Sequence, residues 1–463
     1  MIVQEIPYTD PLAVFAHWAD EPYVSFLDSA AAADPRSRYS YLAVEPFRIV
    51  EAQGGAVRTD GAPDDADPFA VLERELARFR IEPGATPVPF PGGAVGFLGY
   101  ELGRHLERLP PPPAAGLDMP DMVMGFYDLV IAFDQRDRRA WILSSGFPET
   151  DPARQDRRAM NRVVSALRRL ERPAPALEPA RRSGVVWQAE LTRADYEARV
   201  ARVLDYIYAG DIYQANFTMR HLLPRPLAAR PAEIYCALRA RTAAPFAAYL
   251  GCGADLALAG ASPERFLRVS PDGRVETRPI KGTRPRGKTA EEDAALAHEL
   301  AASAKDRAEN LMITDLLRND LGRVAALASV HVPSLCAVES FSTVHHLVSA
   351  VEARLRPNVG LVDLLRATFP GGSITGAPKI RAMEIIAELE MARRGAYCGA
   401  IAWLGYDGAM DSSVTIRTLS VTRELVVAQA GGGIVADSVP SAEYDEMMVK
   451  VGPLLDAVGT RAP

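Results

Sequence analysis

Only five lysines stand among the 52 basic residues of this chain: Lys281, Lys288, Lys305, Lys379 and Lys450. Arginine is its default cation. A lysine kept against that bias offers what a guanidinium cannot, an amine that sheds its proton and attacks carbon. Lys281 lies in Thr277-Arg278-Pro279-Ile280-Lys281-Gly282-Thr283, between a rigid Pro-Ile and a glycine that allows close approach of backbone or ligand. A solvated loop lysine has the same local sequence. Carboxylates form the second set. Asp306 and Glu309 are three residues apart in a helix predicted over 290–318, on the side of Ile313 and Leu316. Glu443, Glu446 and Lys450 fall on one side of a helix opened by Ser441, beside Met447 and Leu454. Inward carboxylates are costly without a cation near them. If the two helices face each other, their four carboxylates make an oxygen cage that suits magnesium better than zinc. Salt-bridged helices, with Glu446 paired to Lys450, are the competing reading.

Three further features could touch a ligand. The glycine-rich segment 368–379 enters a helix, where free amides bind carboxylates, although a helix entry with Pro378 in its first turn looks the same. His345-His346 are either catalytic or hydrogen-bonded core histidines on a strand. Arg417, in Val-Thr-Ile-Arg-Thr, reads as a guanidinium on an apolar strand and calls for an anionic partner.

The elements that must position these groups divide the chain in three. Residues 1–150 read as a β-rich N-terminal domain. It has strands at 23–29 and 38–44, a helix at 68–80 capped by Asp67, and a hairpin of 122–133 with 139–144. Its four glycines between 91 and 100 suit tight strand packing, since no Lys or Ser/Thr follows as a phosphate loop requires. Residues 151–188 form a helix and a Pro/Arg-rich connector. Residues 189–460 form the catalytic domain. There Thr192 opens a helix closed by Gly210, a strand at 211–218 bears Gln214, and a strand at 256–261 delivers Ser262-Pro263-Glu264. A strand at 425–430 leads into a glycine turn at 431–437.

With 463 residues, 48% hydrophobic and 24% charged, the chain has the composition of a globular protein of two to four domain-sized units. A net charge of −7 argues against a nucleic-acid-binding surface. No apolar run approaches a membrane span, and residues 1–10 carry no export signal, so a cytoplasmic location is expected. The scattered Cys236, Cys252, Cys336 and Cys398 read as reduced thiols.

These motifs together resemble the chorismate-utilising enzymes, and within them the large components of aminodeoxychorismate synthases. The resemblance runs through Ser-Pro-Glu-Arg-Phe, Pro-Ile-Lys-Gly-Thr, Ala-Lys-Asp-Arg-Ala-Glu-Asn, Val-His-His-Leu, Pro-Gly-Gly-Ser-Ile-Thr-Gly-Ala-Pro-Lys and Gly-Gly-Gly-Ile-Val-Ala-Asp-Ser. It implies an α+β fold in which two layered, largely antiparallel sheets form a sandwich core with helices outside. It implies Mg²⁺ held by Glu309 and Glu446, backed by Asp306 and Glu443. Glu264 would be the general acid, and Lys281 the nucleophile at ring carbon C2. His346 and Thr375 would orient the substrate. Arg417, Lys450 and amides around Gly376 and Gly432 would anchor its carboxylates, with Tyr397 lining the pocket. Gln214 stands where isochorismate-forming relatives place a lysine base, and anthranilate synthases have Ala at the position of Lys281. The combination implies chorismate amination at C4, giving 4-amino-4-deoxychorismate for 4-aminobenzoate and folate synthesis, with ammonia supplied by a separate glutamine amidotransferase subunit. Leu27-Asp28-Ser29 replaces the Leu-Glu-Ser of tryptophan-inhibited anthranilate synthases and marks the candidate tryptophan pocket. The competing assignments are an anthranilate synthase large subunit with an unusual lysine, and a chorismate-binding partner protein without catalysis.

Overall fold

The computed structural model describes residues 1–31, 34–224, 229–341 and 344–461. Among them, two twelve-stranded sheets carry the chain, and every ladder between their strands is antiparallel. The sheets face each other across an apolar layer that includes Tyr41, Phe90, Tyr127 and Trp403, and Phe97, Leu250, Leu258 and Ile401. Outside the first sheet lie the helices Arg193–Tyr208, Pro231–Arg241 and Pro440–Val458, joined to it by one continuous core. Outside the second lie Pro68–Ala77, Ala304–Gly322 and Leu361–Thr368. The expected sandwich with outer helices is what the chain forms.

The three-part division of the sequence does not correspond to separate cores. In the first sheet, Ser25–Asp28 pairs with Phe246–Gly251. In the second, Gly93–Leu98 pairs with Ala400–Gly405. The first 150 residues thus complete both sheets of the later ones. Nonlocal pairing of this kind leaves no periodic mark in the sequence, whereas the 151–188 connector does, in its prolines.

Several local expectations need correction. The run 122–133 is two strands, Met122–Tyr127 in the second sheet and Leu129–Asp134 in the first, with the crossing at Asp128. The helix expected over 290–318 is two helices, Ala290–Ala302 and Ala304–Gly322. Ser303 breaks it because its extended backbone ends one helix while its hydroxyl caps the next, accepting from the Asp306 amide at 3.3 Å. Gly431, Gly432 and Gly433 are not a turn; they lie inside the strand Leu425–Ile434, paired residue by residue with Gln214–Pro224. The last helix starts at Pro440 with no side-chain cap, so Ser441 is inside it. Lys281 is on a strand, Ile280–Pro285, rather than a loop.

Among the places where the chain passes directly from a strand of one sheet to a strand of the other are Asp128, Pro263–Glu264, and residues 415–417. The last two are fastened to each other. The Val414 amide donates to the Glu264 carbonyl at 3.0 Å, the Ser262 hydroxyl donates to the Val414 carbonyl at 2.6 Å, and the Ala261 amide donates to the Arg417 carbonyl at 3.0 Å. Ser262 is buried, so Ser262→Ala removes a buried hydrogen bond between the crossings and leaves the Val414 carbonyl to the Ile416 amide, which donates to it at 2.9 Å. Denaturant unfolding should register a loss of about 0.5–1.5 kcal/mol for that variant.

Candidate active site

Both crossings open into one cleft of about 700 Å³, lined among others by Glu264, Lys281, Lys305, Glu309, His346, Arg417, Glu446 and Lys450. Three of the five lysines therefore share one cavity. Lys379 does not; it is committed to Asp320 at 2.6 Å and to the Thr368 carbonyl at 2.8 Å.

Lys281 reaches the cleft through a bulge. It pairs with Leu347 and Thr283 pairs with His346, which leaves Gly282 as an extra residue at φ 69°. A Cβ at Gly282 would stand 2.8 Å from the Asp306 carboxyl carbon and from a Leu300 methyl, so only glycine lets the helix Ala304–Gly322 approach here. The floor is the glycine run of Leu425–Ile434. A Cβ at Gly433 would lie 3.4 Å from Lys281 Nζ and 2.8 Å from Gln214 Nε2. One at Gly432 would lie 2.9 Å from Glu443 Oε2 and 3.7 Å from Lys450 Nζ. Lys450 also donates to the Gly431 carbonyl at 3.0 Å. The stripped strand makes room for charged side chains over its backbone. Among the described residues, the Lys281 amine has no hydrogen-bond or ion-pair partner.

Glu264 follows the crossing proline and is buried. Burial raises its carboxyl pKa, against the Ser373 hydroxyl that hydrogen-bonds it and the charges of Lys281 and Arg36. A carboxyl so placed holds its proton further up the pH scale, as a general acid must. His346 donates or accepts with the Thr283 hydroxyl through Nδ1 at 2.9 Å, and burial, helped by Arg36, pushes its pKa down to about 4. It is a neutral imidazole at physiological pH. His345 faces a different set of partners, Ser340 at 2.7 Å and Asp293 at 2.9 Å, and is structural. Arg417 is not on a strand. It sits at φ 52° in the crossing between Met410–Val414 and Thr418–Thr422, a strained conformation for a non-glycine residue. Burial lowers its pKa and, among the described residues, no carboxylate pairs with its guanidinium. It is the cleft's best anion receptor, and Tyr397 lies beside it on the wall.

The four acidic candidates share the cleft without forming a closed cage. Asp306 is drawn to Arg284 at 3.4 Å and Glu446 to Lys450 at 2.6 Å. Glu443 accepts from Ser438 at 2.6 Å, with Lys305 at 4.0 Å. Glu309 has no such partner among the described residues. Burial raises the Glu309 and Glu443 carboxyls, and each feels the other acids nearby. Burial also opposes ionisation of Glu446, but Lys450 outweighs it and holds that carboxyl below its usual value. Among the described residues no three acidic, histidine or cysteine side chains converge tightly enough to hold an ion unaided.

Thr375, Gly376 and Gln214 stand one layer behind the wall. The Thr375 hydroxyl donates to the Gly371 carbonyl at 3.0 Å, and Gly376 pairs with Ala215, where a Cβ would meet the Gln214 carbonyl at 2.1 Å. Gln214 is fully buried under Gly433, and neither of its amide atoms is hydrogen-bonded among the described residues. Lys305, Ser373 and Arg36 belong to the cleft, yet sequence reasoning did not place them there. Lys305 and Ser373 lay inside motifs already singled out; Arg36 gave no signal. Leu27, Asp28 and Ser29 border a second cavity of about 670 Å³ between the sheets. The Asp28 carboxylate, however, is taken from the helix Pro231–Arg241 by the Tyr235 hydroxyl at 2.9 Å and by Arg239.

Residues 26–456 match the family described as chorismate binding enzyme. Aminodeoxychorismate synthase component 1 of Salmonella typhimurium is 42% identical, over 94% of this chain and 92% of its own length. Anthranilate synthase component 1 of Thermus thermophilus is also 42% identical, over 97% of this chain and 95% of its own. The crystal structure of anthranilate synthase component I from Streptococcus pneumoniae matches with a TM-score of 0.80 at 32% identity, covering 90% of this chain and 92% of that one.

The glycine floor generates a sharp test. Gly433→Ala should leave the melting temperature within a few degrees while turnover falls at least about tenfold, because the added methyl meets the Gln214 amide and crowds Lys281. Steady-state kinetics beside a thermal melt checks both.

Proposed function

This chain belongs to the chorismate-binding enzyme family, and on that premise we propose that it aminates chorismate at C4, forming 4-amino-4-deoxychorismate. One observation carries the choice of C4: an unpaired lysine, Lys281, over the glycine floor of the cleft that also holds Glu264. Overall identity does not choose, since relatives named for C4 and C2 amination products are both 42% identical.

The chemistry follows from the placement of each group. Arg417 and Lys450 receive the substrate carboxylates, and the water-poor wall at Tyr397 strengthens those contacts. Lys281 attacks as the free amine, its extra proton having passed to solvent, and its nitrogen forms a bond to C2. The ring's two π pairs shift, and the C4–O bond breaks as Glu264 gives its proton to the departing hydroxyl, which leaves as water. Ammonia then adds at C4, the π pairs return, and the C2–N bond to Lys281 breaks. Neutral His346 hydrogen-bonds without competing for that proton. The acidic wall fits magnesium, with all-oxygen donors and two carboxylates, the buried Glu443 and the half-buried Glu309, that a divalent cation would relieve. Glu309 and Glu446 would hold it, Asp306 and Glu443 standing behind, and bound magnesium supplies positive charge to the substrate carboxylate.

The word component in the relatives' names supports a second subunit, which we take to be a glutamine amidotransferase delivering ammonia. Among the described residues no helix is long and apolar enough to cross a membrane, and the four cysteines are buried and unpaired, in keeping with a cytoplasmic enzyme. The cavity beside Leu27 and Ser29 is the place we assign to tryptophan, although Asp28 itself is engaged elsewhere.

Incubation with chorismate, Mg²⁺ and excess ammonium tests this directly, with an aminodeoxychorismate lyase added to half the mixture. The 4-isomer of aminobenzoate should form only with the lyase, and chelation of the metal should abolish it. The 2-isomer without lyase would make the enzyme an anthranilate synthase instead.

A further inference from the structure

Arg36 belongs to none of the motifs above, yet it lines the cleft from the loop after the strand Ser25–Asp28. Its guanidinium uses three faces. Nε and Nη2 clamp the Asp34 carboxylate at 2.9 and 2.6 Å, Nη1 donates to the Pro263 carbonyl at 3.0 Å, and the plane lies 4.7 Å from the Phe341 ring centre. The ion pair is largely buried, with side-chain exposures of 15% for Arg36 and 9% for Asp34. Pro263 immediately precedes Glu264, at the point where the chain passes between the sheets and where a strand ladder no longer holds it. The Val414 amide binds the Glu264 carbonyl, and Arg36 holds the carbonyl of Pro263.

We propose that Arg36 is a positioning residue for Glu264: clamped on Asp34, it fixes the peptide that carries the acid and sets a positive charge beside it. This rests on the reading of Glu264 as the general acid. Three groups from three elements face the Glu264 carboxyl: Lys281 from the strand Ile280–Pro285, Ser373 from the turn Gly372–Ile374, and Arg36 from the N-terminal loop. All three favour the ionised form, against the burial that raises its pKa. Removing the charge of Arg36 therefore moves Glu264 further up, and the basic limb of the rate profile, where the acid has lost its proton, moves to higher pH with it.

Three variants separate the parts. Arg36→Met should lower kcat about tenfold with a less than about threefold change in KM for chorismate, and displace the basic limb of the kcat–pH profile upward. Arg36→Lys keeps the charge and loses the fork; its limb should stay in place while kcat falls by an intermediate factor. Asp34→Asn keeps the charge and loosens the clamp, and should lower kcat without moving the limb upward. Thermal melts establish that each variant is folded. An unmoved limb and wild-type kcat in folded Arg36→Met would overturn the proposal, as would an upward shift of equal size in Arg36→Lys. Product identity is read in the same reactions. A 2-isomer would sink C4 amination while leaving the displaced limb, and hence Arg36, standing.

Discussion

Everything at this site depends on two strands changing sheets side by side. Where Leu256–Ser262 gives way to Arg265–Val269, and Met410–Val414 to Thr418–Thr422, ladder hydrogen bonds stop and the backbone must satisfy itself otherwise. It does so by joining one crossing to the other, through Ser262, Val414, Glu264, Ala261 and Arg417. The result is a rigid knot with two side chains freed from either sheet face. One is an acid whose pKa burial raises, the other a guanidinium with no protein counter-charge among the described residues. Between sheets, neither side chain has to fit the pleat.

The rest of the cleft supplies what the knot lacks. Two helices bring carboxylates on one side, and the strand Leu425–Ile434 brings no side chains at Gly431–Gly433, which is why charged groups as close as Glu443, Lys450 and Lys281 can lie over it. Charges there are matched in number: among the described residues six lysine and arginine side chains and six aspartate and glutamate side chains line the cavity. That balance explains why the acids do not collapse into a cage. Among the described residues each except Glu309 has a cation of the chain within ion-pair distance, and Glu309 still feels Lys281 and Lys305.

How much of this the sequence disclosed depends on the range of the interaction. Local chemistry was readable: Asp67 caps the helix Pro68–Ala77, accepting from the Phe69 and Ala70 amides, and Thr192 caps Arg193–Tyr208. The identities of Lys281, Glu264 and Arg417 stood out through composition and local order. Their positions did not. Arg417 read as a strand residue because its neighbours are apolar, and the glycines 431–433 read as a turn because nothing local tells a turn from a strand that must leave space above it. The break at Ser303 was within reach, since Ser303 lies three residues before Asp306, an N-cap spacing, but continuous helical periodicity on both sides concealed it. Arg36 and the interleaving of the first 150 residues with both sheets could not be read at all. They depend on pairings between residues more than two hundred positions apart, such as Arg36 with Pro263.

The claim on which the rest turns is that Lys281 bonds to the substrate. Peptide mass spectrometry of the protein mixed with chorismate and Mg²⁺, with ammonia rigorously excluded, tests it most directly. The expected result is a chorismate-minus-water adduct on the peptide bearing Lys281, absent from Lys281→Ala and discharged when ammonium is added. An unmodified Lys281 peptide in a preparation that turns over normally once ammonium is supplied would contradict it.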